Sequence, residues 1–275
     1  MKKVLLFGAL VSSILLSASS TATTLPKVTP LHYATTPTHT TNTSHPTTDT
    51  QWGYTGHQAP QYWGRLHSDF GLCSQGVNQS PIDITPEVTV TTTNLAPLQF
   101  DYHANASRIY NTGHMIQVDV DSRSTITLEG TTFTLKQFHF HTPSENHINA
   151  KSFPLEAHFV HASPKGKLAV VSVLFKLGAT NRVLQKILDA VAQENQPHTP
   201  STLSSGQIDL LLPTRKAYYA FNGSLTTPPC TEGVRWMVLK DYLPISKAQV
   251  GQFVKLLKHT NNRPTQPLNA RQVLE

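Results

Sequence analysis

The residues richest in chemistry lie close together. Gln137-Phe138-His139-Phe140-His141 carries two imidazoles at alternate positions of an apolar run. In an extended strand successive side chains point to opposite faces, so His139 and His141 share one face and Phe138 and Phe140 pack on the other. Two imidazoles on one face make half of a metal site. A second segment, Glu156-Ala157-His158-Phe159-Val160-His161, puts Glu156, His158 and Val160 on one face and His161 on the other. Pairing this strand beside the first brings His158 toward the same metal. His161 points the wrong way and reads as a hydrogen-bonded core histidine. His147 is a rival third ligand, but its Ser-Glu-Asn-His-Ile-Asn surroundings read as a turn.

Three neutral imidazoles leave the full double charge on a zinc ion and one vertex open to water, which is the pattern of a catalytic site. Structural zinc sites are closed by four protein ligands, usually including cysteine. The two cysteines, Cys73 and Cys230, are isolated from each other and from the histidines. His-x-His alone is common in strands, so the wider pattern matters.

Runs rich in β-branched and aromatic residues at 115–120, 125–128, 132–140, 157–161, 168–177 and 234–239 read as strands. Two segments have helical spacing of apolar residues. One is 181–194, with Thr180 or Asn181 as its cap, and the other is 246–258, behind Ser246. The expected fold is mainly β (α+β): a single domain with a large, mostly antiparallel twisted central sheet and peripheral helices.

The start reads Met1-Lys2-Lys3, an apolar run to Leu16, then small residues to Ala22, the layout of a signal peptide. The run is shorter than the about 20 apolar residues that a membrane span needs. Residues 1–22 are therefore expected to be a leader, and 51–275 the folded domain. Residues 23–50 between them form a Thr/Pro/His-rich linker without enough apolar surface to order itself. Its histidines, His32, His39 and His45, read as incidental, with zinc storage as the alternative. A formal net charge of +6 without basic clusters argues against nucleic-acid binding. An even cysteine count in an exported chain suggests a disulfide.

The ordered motifs resemble the alpha-class carbonic anhydrases, of the bacterial exported type. They are Trp52-Gly53-Tyr54, Trp63-Gly64, Asn78 to Ile84 (NQSPIDI), Gly113-His114, Gln137 to His141, Ser144-Glu145, Glu156-Ala157-His158, Gly223 to Cys230 (GSLTTPPC) and Asn262-Arg263-Pro264. The resemblance covers essentially 52–271. It implies Zn2+ on His139, His141 and His158, with Gln137 and Glu156 orienting ligand imidazoles. It implies a buried Glu145 that accepts the Thr226 proton, so that the Thr226 oxygen accepts in turn from the zinc-activated hydroxide. It implies an apolar pocket for carbon dioxide formed by Val160, Val170, Leu225 and Trp236 beside Thr227. It implies proton relay through His114, with Tyr54, Asn111 and Gln117 holding the intervening waters. Thr112 departs from the pattern, standing where many members have Asn. The resemblance also implies a Cys73–Cys230 bridge beside the loop of Thr226.

The implied activity is reversible hydration of carbon dioxide to bicarbonate by a lyase that is periplasmic or secreted, acts on a small molecule, is not inserted in a membrane, and is a monomer or homodimer. Three rival readings stand against it, one of them a zinc-storage or adhesive protein that uses the Thr/His tract of 23–50. A non-catalytic binding module on the same fold typically lacks a ligand histidine, and this chain keeps all three. An ester hydrolase would need a pocket signature for a larger substrate, and none is evident.

Overall fold

The computed structural model describes residues 51–193 and 203–275, so the expectations for 1–50 lie outside the described residues. The strands are β1 (Asp83–Ile84), β2 (Thr89–Val90), β3 (Gln99–Asp101), β4 (Ala106–Asn111), β5 (Ile116–Val120), β6 (Thr125–Leu128), β7 (Thr131–His141), β8 (His147–Ile148), β9 (Leu155–Ala162), β10 (Leu168–Leu177), β11 (Tyr218–Ser224), β12 (Glu232–Leu239), β13 (Leu243–Ile245) and β14 (Val273–Leu274). Twelve of them form one sheet in the order β2-β14-β11-β12-β10-β9-β7-β5-β4, with β13 beside β10 and β6 joining β3 to β7.

Most pairings are antiparallel, but β10 runs parallel to β12 and β13, and β14 parallel to β2. The sheet is therefore mixed at its centre. A parallel neighbour needs a crossover, and the chain between β10 and β12 includes the helix Arg182–Ala192 and strand β11. The turn expected around His147 is there only in part, at Asn149 and Ala150. His147–Ile148 is a short strand that pairs in parallel with β1. Strands β4 and β11 escaped the sequence reading because exposed Ser107, Arg108 and Asn222 break their apolar alternation.

The sheet's two faces do different work. Phe138, Phe140, Phe159, Val171, Val173 and Phe175 belong to the larger core cluster. Arg182–Ala192 covers this face with Val183, Leu184, Ile187 and Leu188, and Lys247–Leu257 with Phe253 and Leu257. The opposite face carries a smaller cluster built on Val170, Leu174, Val234, Trp236 and Val238. On that second face the histidines stand.

Candidate active site

Strands β7 and β9 set the site by register. Across the antiparallel pair Gln137 faces Val160, His139 faces His158, and His141 faces Glu156. A bulge between Leu135 and Gln137 resets the alternation, so Gln137, His139 and His141 share the face of Glu156, His158 and Val160. His139, His141 and His158 each offer one ring nitrogen, and these atoms lie within 4.8 Å of one another.

The other nitrogen of each ring is occupied. His139 Nδ1 meets Gln137 Oε1 at 2.8 Å, and His141 Nδ1 meets the Asn261 carbonyl at 2.7 Å. Both partners are acceptors, so each Nδ1 carries the proton and each Nε2 keeps its lone pair. His141 Nε2 is buried with no protein partner. His158 has the reverse arrangement. Its Nε2 lies 2.9 Å from Glu156 Oε1, an ion-pair distance without full hydrogen-bond alignment, which turns Nδ1 toward the other rings. Burial, reinforced by the neighbouring rings, lowers His139 well below the ordinary histidine value, and burial also lowers His141. Three imidazoles that each turn one ring nitrogen to a common point are the donor set of a zinc site.

Glu156 is fully buried, which alone would raise its pKa. The electrostatic influence of the adjacent His158 ring and the hydrogen bonds donated by Ser172 and Asn146 outweigh burial and hold it at about 2. Its Oε2 also accepts from the backbone N–H groups of Glu145 and Asn146, at 2.7 and 2.8 Å.

Glu145 lies beside this group, with Oε1 3.4 Å from His141 Nδ1 and Oε2 3.9 Å from His158 Nδ1. Burial raises it to about 7, against the opposing influence of His158, the Arg263 N–H and the Thr226 hydroxyl. The Arg263 N–H donates to Oε1 at 2.8 Å. Oε2 lacks a well-formed hydrogen bond, although the buried Thr226 side chain is close enough to favour the charged form.

The apolar wall assembles from three strands. Val170 pairs with Val160 on β9 and with Trp236 on β12. The Trp236 ring stands edge-on to His158 at 4.9 Å, and its Nε1 donates to the Ser224 carbonyl at 3.0 Å. Leu225 packs against the same cluster. Gly223 lies where a Cβ would come within 2.1 Å of Ser80 Oγ and 3.0 Å of the Trp236 ring, so the close approach of these segments needs glycine there. Thr227 accepts from the Cys230 N–H at 2.8 Å through its carbonyl, closing the turn after Thr226.

His114 sits at the tip of the β4–β5 hairpin, after Gly113, whose φ of 90° favours glycine. Its ring lies flat on Trp52, centroids 3.9 Å apart and planes 11° apart. Thr112 Oγ1 accepts from the His114 and Met115 N–H groups at 3.1 and 3.0 Å, so the departure at this position ties down the turn. Asn111 braces the hairpin against the Leu256 carbonyl. Gln117 donates to Tyr110 Oη and Asp119 Oδ1. Tyr54 Oη is buried without a protein hydrogen bond. Burial, then the charge of Glu145, raises its pKa well above the ordinary tyrosine value.

Cys73 and Cys230 form a disulfide. His161 faces the other side of the sheet and meets Tyr102 Oη at 2.7 Å. The sequence reading missed Asn261, Asn146, Ser172 and His259. Asn261 acts on His141 through its backbone carbonyl, which any residue type supplies, while its buried side chain pins the segment by accepting from the Thr142 N–H and donating to the His114 and Phe140 carbonyls.

Residues 58–275 match the model of the eukaryotic-type carbonic anhydrase family. A carbonic anhydrase of Neisseria gonorrhoeae is 47% identical over 233 residues, covering 82% of this chain and 88% of that protein. One of Pectobacterium carotovorum is 45% identical over 232 residues, covering 83% and 92%. The solved alpha-carbonic anhydrase of Thermovibrio ammonificans, in complex with the inhibitor sulfanilamide, superposes with a TM-score of 0.78 at 42% identity, covering 82% of this chain and 99% of that one. By site geometry, sequence and fold together, this chain belongs to the alpha-class, eukaryotic-type carbonic anhydrase family.

Proposed function

We propose that the chain catalyses the reversible hydration of carbon dioxide to bicarbonate and a proton, with zinc held by His139 Nε2, His141 Nε2 and His158 Nδ1. The carrying observation is the convergence of three ring nitrogens within 4.8 Å while the opposite nitrogens of the same rings face Gln137, Asn261 and Glu156. When bound, the ion supplies the Lewis acidity that makes water a nucleophile at neutral pH, its established role in carbonic anhydrases. Glu145 takes the Thr226 Oγ proton as a hydrogen bond, leaving the Thr226 oxygen to accept from the nucleophile and aim it. Val160, Val170, Leu225 and Trp236 hold the apolar substrate, beside Thr227. His114 receives the released proton at a ring nitrogen, with Tyr54, Asn111 and Gln117 lining its path. The Cys73–Cys230 bridge and the bacterial relatives support export to the periplasm or beyond. Among the described residues no helix is long and apolar enough to cross a membrane.

Stopped-flow hydration of carbon dioxide tests the proposal, alongside elemental analysis before and after a chelator. One zinc per chain, lost together with hydration and restored together with it, is the expected result. Full hydration by metal-free protein would end the proposal.

A further inference from the structure

A second imidazole stands beside His114. Trp52, Tyr54, Gly113, His114 and His259 share the wall of a cavity of about 550 Å³. Its titratable groups are Tyr54, His114 and His259, and Lys258 precedes His259 on the exposed end of its own helix. His259 follows the left-handed C-cap residue Lys258, whose φ is 64°, a conformation that turns the chain back toward the hairpin. The His259 ring tilts over Tyr54 with centroids 5.7 Å apart. Its Nδ1 meets the Thr260 carbonyl at 2.9 Å, and its Nε2 makes a longer contact of 3.4 Å with the carbonyl of Gly113, the residue before His114.

Both ring nitrogens of His259 thus face carbonyl oxygens. A neutral imidazole has one N–H and leaves one lone pair turned toward an acceptor, whereas the cation donates on both sides. Nδ1, at the shorter distance, keeps its hydrogen, and Nε2 is the atom that gains one.

We propose that His259 is a second proton station, taking on Nε2 the proton that His114 carries out of the site and passing it to a buffer base in solvent. The inference rests on the reading of His114 as the relay. His114 gives up its ring proton through cavity water, His259 becomes the cation, and a solvent base then removes that proton and restores the neutral ring. No bond other than N–H and O–H is made or broken. Both rings are half-buried, which gives each an opening to the cavity. Burial first, and then the nearby His259, lower the pKa of His114. Two neighbouring cations disfavour each other, so a proton resting on His259 opposes a second one on His114 until a solvent base removes it.

The test compares zinc-loaded protein with the His259→Gln, His114→Ala and double variants. Glutamine retains an amide able to donate toward the two carbonyls. His259→Gln is expected to lower kcat in weak buffer on the order of fivefold, short of the 10²-fold or more that a positioned proton-transfer group contributes. The values of kcat/KM and of kcat in concentrated imidazole buffer should stay put, because the hydration step itself is untouched. A second readout is independent of turnover. In a ring-proton NMR titration the His114 midpoint should move up once its neighbouring cation is gone. Slowed turnover in His114→Ala together with normal weak-buffer turnover and an unmoved His114 midpoint in His259→Gln overturns the second station alone. Normal weak-buffer turnover in His114→Ala overturns the relay reading and the second station with it.

Discussion

Replacing Glu156 with glutamine keeps the shape of the side chain and removes its charge. The carboxylate meets His158 Nε2 at 2.9 Å and accepts from two backbone N–H groups. Partners of this kind set the tautomer and basicity of a ligand imidazole, and their loss costs about 10–100-fold in metal affinity, a range established on carbonic anhydrase among other proteins. Glu156→Gln is expected to weaken zinc binding by that factor in competition with a chelator, and an unchanged affinity would deny Glu156 its orienting role. His161 shows what an imidazole does on the other face. Burial holds it down at about 3, far below the ordinary 6.5. The unfolded chain then binds the extra proton first, so stability contributed by the neutral ring is intact above about pH 6.5 and drains away as the pH falls toward 3. Denaturant titrations from pH 7 to pH 4 should show the wild type losing stability relative to His161→Gln, by up to about 1.4 kcal/mol per pH unit. Parallel curves would place the acid sensitivity elsewhere.

At the scale of elements, the helix Arg182–Ala192 illustrates how a short cap reaches further than its own helix. Asn181 Oδ1 accepts from the Val183 and Leu184 N–H groups at 3.0 and 3.1 Å. The Asn181 backbone is gripped by Gln249, which donates to its carbonyl and accepts from its N–H. Gln249 sits in the first turn of Lys247–Leu257, so the N-termini of the two covering helices are tied together. Asn181→Ala should cost about 1 kcal/mol in denaturant unfolding, the usual worth of such a cap. A loss within error would mean that Gln249 alone holds the start of the helix. Helix spacing and cap residues were legible in the sequence because they are local. The 168–177 and 125–128 strands were legible for the same reason, and both match β10 and β6 residue for residue. The bulge that brings His139 opposite His158 was not, because it depends on how β7 meets β9.

At the scale of the molecule, the disulfide joins residues 157 positions apart and anchors the turn after Thr226. Arg263 extends the anchor, donating to the Cys73 and Ser80 carbonyls and to Gln79 Oε1 while its N–H holds Glu145. The Cys73→Ser, Cys230→Ser double variant is expected to lose about 2–5 kcal/mol of stability. A thermal or denaturant midpoint matching that of the oxidised wild type would show that packing around Trp63 suffices. Sequence by itself determined which residues share a face: His139 with His141, and Glu156 with His158 and Val160, because strand alternation follows from backbone stereochemistry alone. The ordered motifs likewise named the family. Only the tertiary structure decided which nitrogen of each imidazole is free. That choice belongs to hydrogen-bond partners such as the Asn261 carbonyl, 120 residues from His141, and to the set of contacts that brings His259 against the Gly113 carbonyl. Such pairings arise when distant segments pack, and spacing along the chain does not encode them.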